Sequence, residues 1–167
     1  MNDDTVPAWL PELVFFNSYR GNWPLYLDAI YRFFHQDFVQ SRPFYRGIPL
    51  GLKRHPMWKD KEATFWHIIQ EGSVETDRTP DLRRCERIRW PRPIIKNSEE
   101  TAIKVWENER KGETRICLWF EDQEYLVVLA RRKNTLLPWT AYPTPEEHRK
   151  RKLRAEWEAY KRLMPPR

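Results

Sequence analysis

The sequence predicts an α+β fold: N-terminal helices packed on a four-stranded antiparallel sheet, with a C-terminal basic amphipathic helix. Three patterns carry that expectation. Leu27, Ile30, Phe34 and Phe38 recur at three- and four-residue steps through residues 24–39, the spacing of one helical face. Four strand-like runs at 102–107, 114–120, 124–131 and 135–142 follow one another across the short polar turns NERKG, EDQ and RKN, which favours an antiparallel meander. From Pro145 to about Leu163, Leu153, Trp157, Tyr160 and Met164 align in a narrow stripe opposite a start that reads EEHRKRK.

The first segments are read from their turn and capping residues. Residues 7–11 are irregular and 13–16 strand-like, and Gly21-Asn22 makes a turn. Asn22 caps the helix over 24–39 with Pro24 in its first turn, and Tyr26 and Phe33 widen its buried face. Residues 44–53 are extended, with Gly47, Pro49 and Gly51 arguing for a bent edge strand or a loop. Asp60 caps a second helix that runs to about Glu71 and stops at Gly72. On it Phe65, Trp66, Ile68 and Ile69 cluster on one side, and His67 falls opposite with Ala63, Gln70 and Glu71.

A polar loop at 75–80 leads to a third helix over 81–89, with Leu82, Cys85 and either Ile88 or Arg89 inward. Arg83 and Arg87 align on it at i, i+4. Pro91 and Pro93 interrupt that helix, and Ile94-Ile95 form a short buried piece ended by Asn97-Ser98. The runs ICLWF and LVVLA are apolar on both faces, as in central strands covered by helices. Pro138 demotes the last strand to an edge or bulged one.

A chain of 167 residues suits one domain, and 24 aromatic residues supply a sizeable core despite a mean hydropathy of -0.85. Cys85 and Cys117 lack ligand spacing and read as buried free thiols. No apolar run approaches the ~20 residues of a membrane span, and no signal peptide is visible, so the expected location is cytoplasmic. The net charge of +6 is unevenly spread. Residues 1–41 hold five acids against two bases, residues 78–96 seven bases against two acids, and the tail from Glu146 eight bases against four acids. Such focusing points to a polyanionic partner.

Thr140 and Tyr142 share one face of the last strand, so a hydroxyl and a phenol can point at one bound anion. His67 lies on an ordered helical face that its own helix does not need for packing, and imidazole suits proton transfer near neutral pH. His35 follows an aromatic run, His55 precedes a proline, and His148 sits in the basic tail. Guanidinium groups stay charged and grip phosphate oxygens in pairs, and Arg84 and Arg87 are the first choices for that role. Arg83, Arg89, Arg92, Lys150, Arg151 and Arg154 are expected to hold a nucleic-acid backbone. There is no HExxH, Walker loop, GxGxxG or GxSxG, so no metal site and no small-molecule cofactor is expected. The paired carboxylates Glu121-Asp122 and Glu146-Glu147 fall at a turn and a helix start.

In their order, TFWHII, RCERIRWPRPII and LVVL…LLPWTAYPT, spanning roughly Phe33 to Tyr142, resemble the phage-associated branch of the barnase–EndoU–colicin–RelE nuclease superfamily. The resemblance implies N-terminal helices on a four-stranded antiparallel sheet, which agrees with the reading above. It also implies a nuclease-like core at 42–143, between an aromatic helical part at 1–41 and the C-terminal helix at 144–167. The implied activity is metal-independent RNA cleavage by 2′-hydroxyl attack on the adjacent phosphate, leaving 2′,3′-cyclic phosphate ends. His67, one arginine of the 83–89 cluster, Thr140 and Tyr142 match the family's layout; which arginine stays open. Thr140 would donate to the phosphate, and Tyr142 would bond the phosphate or stack on a base. RNA is the expected partner, with a protein antitoxin as a possible second one. The alternative is a nucleic-acid-binding module without turnover.

Overall fold

Asn22 starts the first helix as its sequence suggests. In the computed structural model, which describes residues 6–72 and 79–164, the Asn22 side chain accepts from the Leu25 N–H at 3.2 Å. Helix α1, Trp23–His35, has proline in its first turn and passes into a single π-helical turn at Gln36–Gln40. Its apolar face buries Tyr26, Leu27, Ala29, Ile30 and Phe34.

The segment before α1 is extended but, among the described residues, pairs with no strand. Val14 N–H donates to the Glu86 carbonyl at 2.9 Å, the Tyr26 hydroxyl donates back to the Val14 carbonyl at 2.7 Å, and a 3-10 turn follows at Phe16–Tyr19. The strand expected at 13–16 is therefore a strap held by helix residues.

Two-residue strands β1, Phe44–Tyr45, and β2, Ile48–Pro49, form a hairpin across Arg46-Gly47, both at positive φ. Helix α2, Ala63–Ile69, is shorter than its pattern predicts. Asp60 sits at φ 59 in a turn and caps nothing, and Glu62 is the residue before the first helical one. At the other end, Gln70–Glu71, β3, leaves the helix to pair with Thr79–Pro80, β4. The last two residues of the expected polar loop are thus strand, and Glu75–Arg78 lie outside the described residues.

Asp81 caps α3, Leu82–Glu86, by accepting from the Arg83 N–H at 2.9 Å. Cys85 and Ile88 are buried, whereas Leu82 is 44% exposed, because five helical residues are too few to sustain one continuous stripe. Pro91 opens a new helix, α4, Pro91–Lys96. Proline fits a first helical position, where no intrahelical partner waits for the missing N–H, so the expected interruption is also a start.

The meander then forms in chain order: β5, Ile103–Arg110; β6, Glu113–Phe120; β7, Tyr125–Arg132; β8, Thr135–Pro143. All three pairings are antiparallel. Alternation sorts the sheet's side chains into two cores. Ile116, Leu118, Val127 and Leu129 join the helical core with Ile30, Phe65 and Ile94. Trp106, Cys117, Trp119, Leu126 and Val128 face Leu153, Trp157 and Tyr160 of the final helix α5, Glu147–Leu163. Met164, the fourth member of the expected stripe, lies past the helix end and is 46% exposed. Burial of a large apolar side chain is worth roughly 1.5–3 kcal/mol, so both cores hold the sheet. Cys85 and Cys117 are free and buried, and burial pushes each thiol up to about 12.

Pro138 does what its backbone dictates. β8 is an edge strand of the four, and its register slips between Val128, opposite Thr140, and Leu129, opposite Pro138. Trp139 is the extra residue of this bulge. The outer side of β8 is met at Leu136 by a parallel bridge from Leu50, where the Gly51 N–H donates to the Leu136 carbonyl at 2.8 Å. A Cβ on Gly51 would lie 3.1 Å from Leu137 Cδ2, so the approach is close. Among the described residues no helix is long and apolar enough to cross a membrane.

Candidate functional site

The carbonyls at the end of α2 have no intrahelical partner and must be satisfied from outside. Two side chains do so. Thr140 Oγ1 on β8 donates to the His67 carbonyl at 3.2 Å, and Arg84 Nη1 on α3 donates to the Gln70 carbonyl at 2.6 Å and to the His67 carbonyl at 3.5 Å. A cation at a helix C-terminus also faces the negative end of the helix dipole. His67 is thereby fixed where α2, α3 and β8 meet.

His67, Arg84, Thr140 and Tyr142 line one recess of about 210 Å³, with Gln70 and Trp139 among its walls. The face of α2 that carries His67 is not open to solvent along its length. α2 packs against β8, and Ala63 and Gln70 are buried and His67 is half-buried. The imidazole meets Trp139 edge to face, with ring centres 5.3 Å apart. The Arg84 guanidinium lies 5.2 Å from the centre of the Tyr142 ring and 3.8 Å from Asp81 Oδ2. Burial lowers the Arg84 pKa, and Asp81 acts in the opposite direction. The Thr140 proton is engaged by a backbone carbonyl, so its place is that of a positioning residue and not of the expected phosphate donor.

Beside the recess lies a groove of about 440 Å³ between the sheet and α5, and the two share Trp139, Thr140 and Tyr142 as walls. Leu126, Val128 and Leu153 give the groove an apolar floor. Arg110, Arg115, Arg149 and Lys152 line it against one acid, Glu156. Cations also gather on its aromatic rings. Arg115 lies 4.2 Å, Arg132 5.4 Å and Lys53 5.6 Å from the centre of Trp139. Arg149 lies 5.4 Å from the Tyr142 ring and donates to its hydroxyl at 3.4 Å. Glu113 holds Arg115 at 2.5 Å, and burial lowers the Arg115 pKa against that carboxylate. Aromatic faces beside cations form the surface on which unpaired bases stack while phosphates find charge.

The other expected cations go elsewhere. Arg87 lies 5.2 Å from the Trp90 ring and 3.6 Å from Glu86, in a recess with Leu10 and Glu124, and does not line the His67 recess. Three residues, less than one helical turn, separate Arg84 from Arg87, and the packing parts them further: Cys85 and Ile88 are buried, Arg84 turns toward α2, and Arg87 caps the end of α3. Arg89 lies against Phe33 at 4.8 Å, and Arg92 binds the Ser41 carbonyl at 2.6 Å and the Ser41 hydroxyl at 2.9 Å, holding the end of the first helical segment.

On α5, Lys150 pairs with Glu124 at 2.5 Å and with Glu147 at 3.4 Å, and Arg154 pairs with Glu121. That side of the helix faces the β6–β7 turn and not the groove. Arg83 lines a neighbouring depression with Arg84 and Tyr142, and Arg151 is exposed away from the groove lining. Arg110, Arg115, Trp139, His148, Arg149 and Lys152 were not singled out by sequence reasoning as site residues. Trp139 carried a signal in its place next to the bulge-forming Pro138, and His148, Arg149 and Lys152 in the basic run EEHRKRK.

Among the described residues, no group of three His, Cys, Asp or Glu side chains is placed to hold a metal ion. Compared with protein-family models, curated proteins and solved structures, the chain matches none.

Proposed function

We propose that the protein is a metal-independent endoribonuclease that cleaves by attack of a 2′-hydroxyl on the adjacent phosphate. One observation carries this reading: an imidazole, a half-buried guanidinium and a phenol share a recess that has three walls in common with a cationic, aromatic-lined groove. The resemblance to the phage-associated nucleases, on the same residues, supports it.

The reaction needs a base for the 2′-hydroxyl proton, a proton for the leaving 5′-oxygen, and positive charge at the phosphorane. His67 takes the first proton. Arg84, anchored through Nη1 to two carbonyls, presents the rest of its guanidinium to the phosphate. Tyr142, whose hydroxyl oxygen accepts from Arg149, gives its proton to the leaving oxygen. Thr140 fixes the backbone on which His67 stands. RNA lies along the groove, its phosphates against Arg110, Arg149 and Lys152. A binding module without turnover would use the groove equally well but gives His67 no task beneath Trp139.

Purified protein incubated with total RNA in EDTA tests the reading. New ends carrying 2′,3′-cyclic phosphate, formed by the wild type and not by His67→Ala, are expected. No cleavage, or equal cleavage by His67→Ala, overturns it.

A further inference from the structure

The wall of the groove formed by β5 and α5 has a chemistry the cleavage step does not use. Glu156 Oε2 accepts from the Trp106 indole N–H at 3.0 Å and from Asn108 Nδ2 at 3.4 Å. Trp106 is buried, so these bonds fix the carboxylate in one orientation. Among the described residues Oε1 accepts no hydrogen bond. An ionised carboxylate only accepts, so the Asn108 amide must turn its nitrogen toward Glu156 and its oxygen away. Asn108 Oδ1 is accordingly left buried without a hydrogen-bond partner. Asn108 Oδ1 is shut off from the groove, so the half-used carboxylate of Glu156 is the acceptor this wall offers to an N–H donor.

The rest of the groove says what kind of molecule brings those donors. The floor of Leu126, Val128 and Leu153 suits a flat apolar ring face, and a volume of about 440 Å³ is within the range of small-ligand sites. Arg149 and Lys152, on the same helix as Glu156, suit a phosphate attached to that ring. A phosphate cannot sit against Glu156 itself, because two anions would repel. The order is therefore ring toward Glu156, phosphate toward Arg149, and the scissile link toward the shared Tyr142 and Thr140.

Resting on the nuclease reading, we infer that this groove is a base-recognition subsite beside the scissile phosphate, taking an unpaired nucleobase whose exocyclic amino group donates to Glu156. Adenine, cytosine and guanine present such an amino group. Uracil presents carbonyl oxygens on either side of its single N–H, and an oxygen facing the carboxylate is repelled. In a duplex the amino groups are occupied by pairing, so the subsite takes single-stranded RNA.

The test uses short single-stranded RNAs with a 2′-deoxy nucleotide at the mapped cleavage position, so that they bind uncut, and with each flanking base varied in turn. Fluorescence anisotropy on the full-length protein should show adenine, cytosine or guanine bound at least about fivefold more tightly than uracil at one flanking position. Replacing adenine there by purine, which removes only the amino group, should erase that gain. Glu156→Gln keeps an acceptor for Trp106 and Asn108 and should reduce the preference to under about twofold by relieving the repulsion of uracil. Equal binding of all four bases by the wild type, or no loss with purine, overturns the subsite and leaves the nuclease reading standing. Glu156→Gln weakening all four ligands alike also overturns it, since Glu156 then only holds α5. Failure of every RNA to bind removes the nuclease reading and the subsite with it.

Discussion

Thr140 Oγ1 donates to the carbonyl oxygen of His67 across 3.2 Å, and this bond ties the last turn of α2 to the bulged edge strand. Thr140→Val keeps the shape and removes the donor. The expected cost is about 1 kcal/mol in urea unfolding, the usual worth of one such bond. Turnover should fall by ~10-fold or more, because small displacements of a proton-transfer group are expensive, while affinity for uncut RNA stays within about twofold. Thr140→Ser should restore both. Normal turnover in Thr140→Val would mean that His67 needs no tether.

Arg84 and Arg87 lie three residues apart and have different surroundings. Arg84→Ala should lower turnover by ~100-fold or more, the scale for removal of one charge-stabilising group. Arg87→Ala should leave turnover within about threefold. Steady-state rates on one RNA, with folding checked by circular dichroism, separate the two. Equal losses would place both in the reaction.

The salt dependence of binding reports which basic residues meet phosphate. Arg149→Gln and Lys152→Gln should each flatten the slope of log K against log salt by about 0.7 on single-stranded RNA. Lys150→Gln and Arg154→Gln should change it little, since their charges are already met by Glu124 and Glu121. A flattened slope for Lys150→Gln alone would move the footprint to the outer side of α5.

Asp37 gives a pH signature unrelated to the site. Burial pushes its carboxyl from the ordinary 3.8 to about 6, against the pull of Arg92 and Arg89. Between these values the native chain keeps a proton that the unfolded chain has released, so raising the pH through this window costs stability. Urea midpoints at pH 4, 5, 6 and 7 should show the wild type losing ground to Asp37→Asn between about 4 and 6. Parallel curves would contradict the shift.

Sheet order was legible because alternation and short turns act locally: 116–120 and 125–130 are apolar on both faces, and both faces are covered. Pro91 was read only as an interruption, since one proline pattern serves to end a helix and to begin the next. His67, Arg84, Thr140 and Tyr142 could be named because each stands off the packed face of its own segment. Their meeting depends on how β8 crosses α2, which no local pattern encodes. The groove cations were hidden for a related reason. Arg110 and Arg115 lie on opposite strands of one hairpin, and Arg149 and Lys152 differ from Lys150 and Arg154 only in which side of α5 the Leu153–Trp157 stripe leaves over the sheet. Ion pairing with Glu121 and Glu124 then turned the most conspicuous basic residues away.

The sharpest test replaces a single oxygen. An RNA cut at one mapped site is resynthesised with deoxyribose at that nucleotide only, and both versions are offered to the wild type in EDTA. With the 2′-hydroxyl as nucleophile, the ribose substrate is cleaved to a 2′,3′-cyclic phosphate and the deoxy substrate binds with similar affinity and stays intact. Cleavage of the deoxy substrate at the same bond, or cleavage of either only when a divalent metal is supplied, would contradict internal attack in the His67–Arg84–Tyr142 recess.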